Sequence, residues 1–156
     1  MSIDKIWHTS STSSAQTEQL AEKLAAACKG GEVIELVSDL GGGKTTFVRG
    51  LARGLRSADR VASPTFTISK VYQAADKQLH HFDFYRLHEA GIIADELAEV
   101  VDDPQNITVV EWGDIVQNVL PAKRLTITIH RTGDDSRDIM VHYPDALHYL
   151  VEAMQR

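Results

Sequence analysis

Apolar positions recur along this chain in two rhythms, and their order predicts an alternation of strands and helices. Lys5 to His8 reads as a short edge strand, and the Thr9 to Ser14 run that follows carries hydroxyls suited to capping a helix N-terminus. Leu20, Ala21, Leu24, Ala25 and Cys28 then fall at helical spacing, and Gly30-Gly31 stops that helix by tolerating left-handed backbone angles. Val33 to Val37 is a β-branched run of the kind found in a buried central strand. A glycine-rich loop follows it, and Phe47, Val48, Leu51 and Leu55 give the next helix its apolar face. Pro64 restricts Ser63 to extended geometry. Thr67 to Gln73 and Gln78 to Phe84 predict an antiparallel hairpin turning at Ala74 to Lys77.

The second half continues the alternation. Ile92 to Val101 predicts a helix, Ile107 to Val110 a short strand, and Asp114 to Leu120 a helix that Pro121 follows. Leu125 to Ile129 and Asp138 to His142 alternate as strands around Gly133, Asp134 and Asp135, and Pro144 opens a last helix through Leu147, Leu150 and Val151. No repeat or long linker interrupts the pattern. The expected fold is α/β, a sheet with parallel core strands and added antiparallel strands, flanked by helices.

Composition narrows this picture. A chain of 156 residues, 43% hydrophobic and 24% charged, suits a single domain spanning 1–156 with a core large enough to need no cross-links. No apolar run approaches the roughly 20 residues that cross a bilayer, so no membrane role is expected. The first residues lead into a polar stretch without an export pattern, and Cys28 is the only cysteine, which points to a cytoplasmic location. A net charge of −6 argues against holding nucleic acid unaided, since backbone binding draws on Lys and Arg.

The run Ser38-Asp39-Leu40-Gly41-Gly42-Gly43-Lys44-Thr45 carries the most specific chemistry. Phosphates need donors packed more closely than side chains allow, and consecutive glycines turn backbone N–H groups inward at the positive end of a helix. Gly41, Gly42 and Gly43 fit that need; Lys44 would reach the β- and γ-phosphates of ATP, Thr45 would bind Mg2+ and Thr46 another phosphate. The competing reading is a plain strand-to-helix turn with a solvated lysine. Ser38 stands where the usual pattern has glycine. Either it keeps a negative φ or it absorbs strain of about 1 kcal/mol that weakens nucleotide binding.

Acids are available downstream. Thr108-Val109-Val110-Glu111 sets Glu111 at the end of an apolar strand, the usual place of the acid beside magnesium. Alternation in the strand from His80 to Tyr85 puts His81, Asp83 and Tyr85 on one face, and His80, Phe82 and Phe84 on the other. Asp83 could hold a magnesium-bound water or position the attacking water; a salt bridge to Arg86 is the structural alternative. Adjacent histidines facing opposite ways argue against a zinc site. Thr65 in Ser63-Pro64-Thr65 could sense the γ-phosphate as a switch, Trp112 could be core or a plug beside the nucleotide, and Arg49, Arg53, Arg56 and Arg60 form a basic stripe.

The loop, Ser63-Pro64-Thr65-Phe66-Thr67, His81-Phe82-Asp83-Phe84-Tyr85-Arg86-Leu87 and Val110-Glu111-Trp112 together resemble the TsaE (YjeE) family of bacterial ATPases in order and spacing, from the first helix through Trp112. The resemblance implies a P-loop ATPase that helps make threonylcarbamoyladenosine in tRNA. Its partners would be the TsaB and TsaD proteins; TsaD transfers the threonylcarbamoyl group from an adenylate made by TsaC, and tRNA is met only through the complex. It also implies that Lys44 binds phosphate, that Thr45 and Glu111, with Asp83, serve magnesium and hydrolysis, and that Trp112 lies near the nucleotide. Arg137 resembles a position contacting ATP, and the Thr9 to Ser14 run one bordering the adenine. A small-molecule kinase and a non-catalytic nucleotide switch are the rival readings; neither an arginine-bearing lid nor an acceptor pocket is visible for the kinase.

Overall fold

The computed structural model describes residues 4–39, 43–64 and 67–156. Strand β1 (Lys5–Ser11) runs farther than its apolar start predicts, because all seven residues pair antiparallel with β7 (Arg137–Tyr143), from Lys5 opposite Tyr143 to Ser11 opposite Arg137. The Ser/Thr run is thus divided. Its first part joins the sheet, and Ser13 caps α1 (Ser14–Ala26) by accepting the Gln16 N–H at 3.1 Å, which satisfies one of the orphan donors at the helix start.

Strands β2 (Val33–Ser38), β4 (Gln78–Asp83), β5 (Asn106–Glu111) and β6 (Leu125–Arg131) form the parallel centre of a seven-stranded sheet ordered β1-β7-β6-β2-β5-β4-β3. β3 (Ser69–Gln73) pairs antiparallel with β4 in the expected hairpin, and β7 is antiparallel to both β6 and β1. The fold is therefore the expected α/β sheet with a parallel core and antiparallel flanks.

Helices cover both faces because the central strands are apolar on both sides. Ile34, Leu36, Leu79, Ile107, Val109 and Ile127 pack beneath α1, α2 (Lys44–Gly54) and α4 (His148–Met154). Val33, Phe82 and Val110 face the other way, onto Leu97 of α3 (Ile92–Asp102), Phe84, Val116 and Leu120.

The helix expected over Asp114 to Leu120 is instead one tight 3-10 turn, Gly113–Val116. The residue before it, Trp112, has φ 56° and ψ 49°, so the chain leaves β5 through a left-handed corner. Gln117 then closes the turn with its side chain, donating to Gly113 O at 3.0 Å and to the buried Glu35 carboxylate at 2.7 Å. A side-chain amide thus satisfies a carbonyl that a continuing helix would satisfy with a backbone N–H.

The α1–α2 contact is unusually close at two glycines of α2. A Cβ on Gly50 would lie 2.3 Å from Glu18 O, and one on Gly54 would lie 2.3 Å from Glu22 O. Alanine in a helix interior is ordinarily favoured over glycine by about 1 kcal/mol. Here overpacking against backbone, typically about 1–3 kcal/mol, works against that gain. Gly50→Ala is expected to lower stability by a net ~1 kcal/mol or more. A denaturant midpoint at or above that of the parent chain would contradict this packing account.

Candidate functional site

Four parallel strands deliver their carboxyl ends to one edge of the sheet, where ligands gather in folds of this type. Ser38 ends β2, Asp83 ends β4 and Glu111 ends β5. The antiparallel pairing of β7 brings Arg137 to the same edge, opposite Arg131 of β6, and β1 brings Ser11 beside it. Residues spread over most of the chain therefore meet at one end of the sheet.

Gly43, the N-cap of α2, has φ 105°, and no side chain caps the helix. The first turn also lacks any acidic residue, so its positive end is not offset by a carboxylate of its own. Lys44, Thr45 and Thr46 make up that turn, with Lys44 buried and both threonines half-buried. An uncapped helix start with this composition suits an anion such as phosphate. Gly41, Gly42 and Thr65 lie outside the described residues.

Ser38 pairs with Ile129 as the last β2 residue and is absent from the non-glycine positive-φ residues, which among the described positions are Arg56, Ile68 and Trp112. The strain alternative for Ser38 is thereby removed, because pairing with β6 holds it extended. Its carbonyl instead accepts the Lys44 ammonium at 3.1 Å, with Asp39 O at 3.4 Å. The same ammonium stands 4.7 Å from the centre of the Trp112 ring, a cation–π arrangement. Trp112 packs at the margin of the second apolar cluster and meets the Tyr85 ring at 5.0 Å. It is at once part of the packing and the ring face against which the Lys44 ammonium lies.

Asp83 and Glu111 are direct partners in the β4–β5 register, and both are buried. Asp83 Oδ1 accepts the Tyr85 N–H at 3.0 Å. Burial holds the Asp83 carboxyl above the ordinary carboxylate range; the Tyr85 N–H opposes this, and the neighbouring Glu111 charge adds to it. Glu111 Oε2 stands 2.9 Å from Nε2 of His81, which is completely buried. Among the described residues no group of three His, Cys, Asp or Glu side chains could cage a metal. Magnesium makes a different demand, since it keeps several waters and takes one or two carboxylates together with phosphate oxygens. Asp83 and Glu111, two buried acids at adjacent strand ends, are carboxylates of the kind such an ion takes.

Arg137 reaches the loop from the far side of the sheet edge. Its Nε lies 3.4 Å from where a Cβ of Gly43 would be, while its guanidinium donates to the Ser136 carbonyl at 2.8 Å and the Gly133 carbonyl at 3.2 Å. The basic stripe is less continuous than its spacing predicts. Helix α2 ends at Gly54, Arg56 has turned to φ 64°, and Arg53 pairs with Glu18 at 3.1 Å. No described helix is long and apolar enough to cross a membrane.

Two residues of this region escaped sequence reasoning. His81 was visible only as a neighbour of Asp83 by alternation, with nothing to indicate Glu111 as its partner. Glu35, in the middle of an apolar strand, is buried with Arg124 Nε at 3.2 Å and helps hold the turn after Trp112. A charge inside a β-branched run was the available signal.

Comparison with known proteins agrees with this architecture. The family model described as "Threonylcarbamoyl adenosine biosynthesis protein TsaE" matches residues 11–139. The tRNA threonylcarbamoyladenosine biosynthesis protein TsaE of Bacillus subtilis is 41% identical over 124 residues, covering 80% of this chain and 77% of that protein. Its counterpart of the same name from Treponema pallidum is 38% identical over 111 residues, covering 71% of this chain and 82% of that protein. The crystal structure of Bacillus subtilis YdiB superposes with a TM-score of 0.79 at 32% identity, covering 100% of this chain and 98% of that one. With a family match across most of its length and a solved relative of the same fold, this chain belongs to the TsaE family.

Proposed function

We propose that the chain is a magnesium-dependent ATPase that supports threonylcarbamoyladenosine modification of tRNA in the cytoplasm, working with TsaB and TsaD and meeting tRNA through them. The observation that carries the ATPase reading is the convergence, on one sheet edge, of an uncapped helix start, a buried lysine held by backbone carbonyls and two buried acids. The role in tRNA modification rests on family membership.

In this reading the backbone N–H groups from Gly41 to Thr46 cradle the phosphates. Lys44 leaves the carbonyls of Ser38 and Asp39 for the β- and γ-phosphate oxygens, which offer full negative charge where the carbonyls offer only dipoles. Thr45 and Glu111 hold Mg2+, with Asp83 beside them. Magnesium supplies charge neutralisation across the phosphate oxygens. Asp83, fixed by the Tyr85 N–H, orients the attacking water. Arg137 brings a second positive charge to the loop at Gly43, and Trp112 walls the nucleotide side of Lys44.

The deciding experiment follows phosphate release from ATP with and without TsaB and TsaD. Release that rises with the partners supports the reading. Transfer of the γ-phosphate to a metabolite would replace it with a kinase, and binding without turnover would replace it with a nucleotide switch. Because Ser38 is extended and unstrained, Ser38→Gly is expected to leave ATP affinity within about threefold of the parent chain, less than ~1 kcal/mol. A tenfold gain by calorimetry would show that strain had been relieved.

Asp83 provides a stability prediction with a definite sign. A carboxyl whose folded pKa is raised binds its proton more tightly in the folded state, so stability falls as pH rises from the ordinary carboxylate value through the raised one. Asn keeps an acceptor for the Tyr85 N–H and removes the charge beside Glu111. Asp83→Asn is therefore expected to raise Tm of the nucleotide-free protein at pH 7, with the gain fading once pH drops below the ordinary carboxylate range. A lower Tm at pH 7 would show that the ionised Asp83 stabilises the fold.

A further inference from the structure

We propose that His81 is a positioning residue that aims the Glu111 carboxylate at the metal. The inference rests on the assignment of Glu111 to magnesium above. It starts from strand register: β4 and β5 align His81 with Val109 and Asp83 with Glu111, and alternation puts all three polar side chains on one face. His81 is fully buried, so its ring cannot swing into solvent, and its Nε2 stands 2.9 Å from Glu111 Oε2.

The ring's other nitrogen, Nδ1, is buried and has no hydrogen-bond partner among the described residues. An orphaned buried N–H donor is costly, whereas an ionised carboxylate can only accept. Both facts select the tautomer with hydrogen on Nε2, donating to Glu111. A glutamate side chain turns about three torsions. A donor fixed to Oε2 removes most of that freedom and holds the carboxylate at the strand end it shares with Asp83. Partners that orient a metal ligand in this way commonly change metal affinity by about 10–100-fold when lost.

A purely structural histidine would fill space equally well as an apolar residue, and this separates the two roles. The test compares His81→Leu, which fills the site without a donor, with His81→Gln, which keeps a donor on a similar reach. The readout is Mn2+ affinity in the complex with a non-hydrolysable ATP analogue, followed by electron paramagnetic resonance, with metal-free analogue affinity measured alongside. His81→Leu is expected to weaken Mn2+ binding by about 10–100-fold, to leave metal-free analogue binding within about twofold, and to be rescued largely by His81→Gln. A folded His81→Leu protein that binds Mn2+ as tightly as the parent overturns the proposal, as does absence of Mn2+ binding in the parent chain. If His81→Leu does not fold, nitrogen NMR of the parent histidine rings decides: a hydrogen on Nε2 supports the donor role, and one on Nδ1 overturns it. Absence of ATP turnover in the parent chain would sink the hydrolysis reading alone, because neither readout depends on turnover.

Discussion

Lys44→Ala is expected to lower ATP hydrolysis by about a hundredfold or more, on the order of 3 kcal/mol of lost transition-state stabilisation. The lysine is buried at the start of α2, and its ammonium is held by the carbonyls of Ser38 and Asp39 over the Trp112 ring. Those contacts are dipolar and cation–π in kind, so phosphate oxygens can displace them. Burial of the lysine also makes its charge worth more on a phosphate than it would be in water. Alanine has high helix propensity and leaves no buried charge unpaired, so the variant should fold. The checks are steady-state phosphate release and calorimetric ATP binding on a protein with a normal melting transition. Parental turnover in Lys44→Ala would remove the loop from the proposed chemistry altogether.

Glu111→Gln is the second large effect, and its loss should be confined to steps that need magnesium. Gln is close in shape to Glu, and its amide oxygen can still accept from His81 Nε2, so the buried contact survives. What disappears is the negative charge that, in the proposed site, would balance a divalent cation at the end of β5. Hydrolysis at saturating magnesium is expected to fall about a hundredfold, roughly 3 kcal/mol. Metal-free ATP binding should stay near the parent value or tighten slightly, since an anion has been removed from the phosphate side. Turnover retained at parental magnesium concentrations would transfer the metal role to Asp83. A parallel loss of metal-free ATP binding would instead mark Glu111 as structural.

The two effects differ in origin although both residues end at the same sheet edge. In the proposed mechanism Lys44 acts from a helix start that a single local motif specifies. Glu111 would act from a strand end whose surroundings are assembled from β4, through His81 and Asp83. Substitutions at Lys44 should therefore read simply, whereas those at Glu111, Asp83 and His81 should be non-additive, as expected for groups in mutual contact.

Much of this was legible along the chain. The strand–loop–helix order, the apolar faces of α1 and α2, the β3–β4 hairpin and the separation of Asp83 from the phenylalanines all follow from short-range periodicity. That information resides in neighbours two to four residues apart, because side-chain direction repeats with the strand or helix period. Glycine spacing and the lysine after it likewise mark the candidate loop, and the structure adds the uncapped start of α2 at Gly43.

Other features required the assembled sheet. Ser38 stays extended because Ile129 of β6, far along the chain, pairs with it. Asp83 faces Glu111, and His81 reaches it, only because β4 and β5 align in one register rather than one shifted by a residue. Arg137 arrives beside Gly43 through the antiparallel return of β7, and the expected helix after Trp112 shrinks to a turn because a buried Glu35 and Gln117 tie it down. The sequence by itself determined which chemical groups the protein owns and which face of each element carries them. Their meeting at one edge was decided by strand order and register, which depend on packing the whole sheet at once and leave no periodic trace in any one segment.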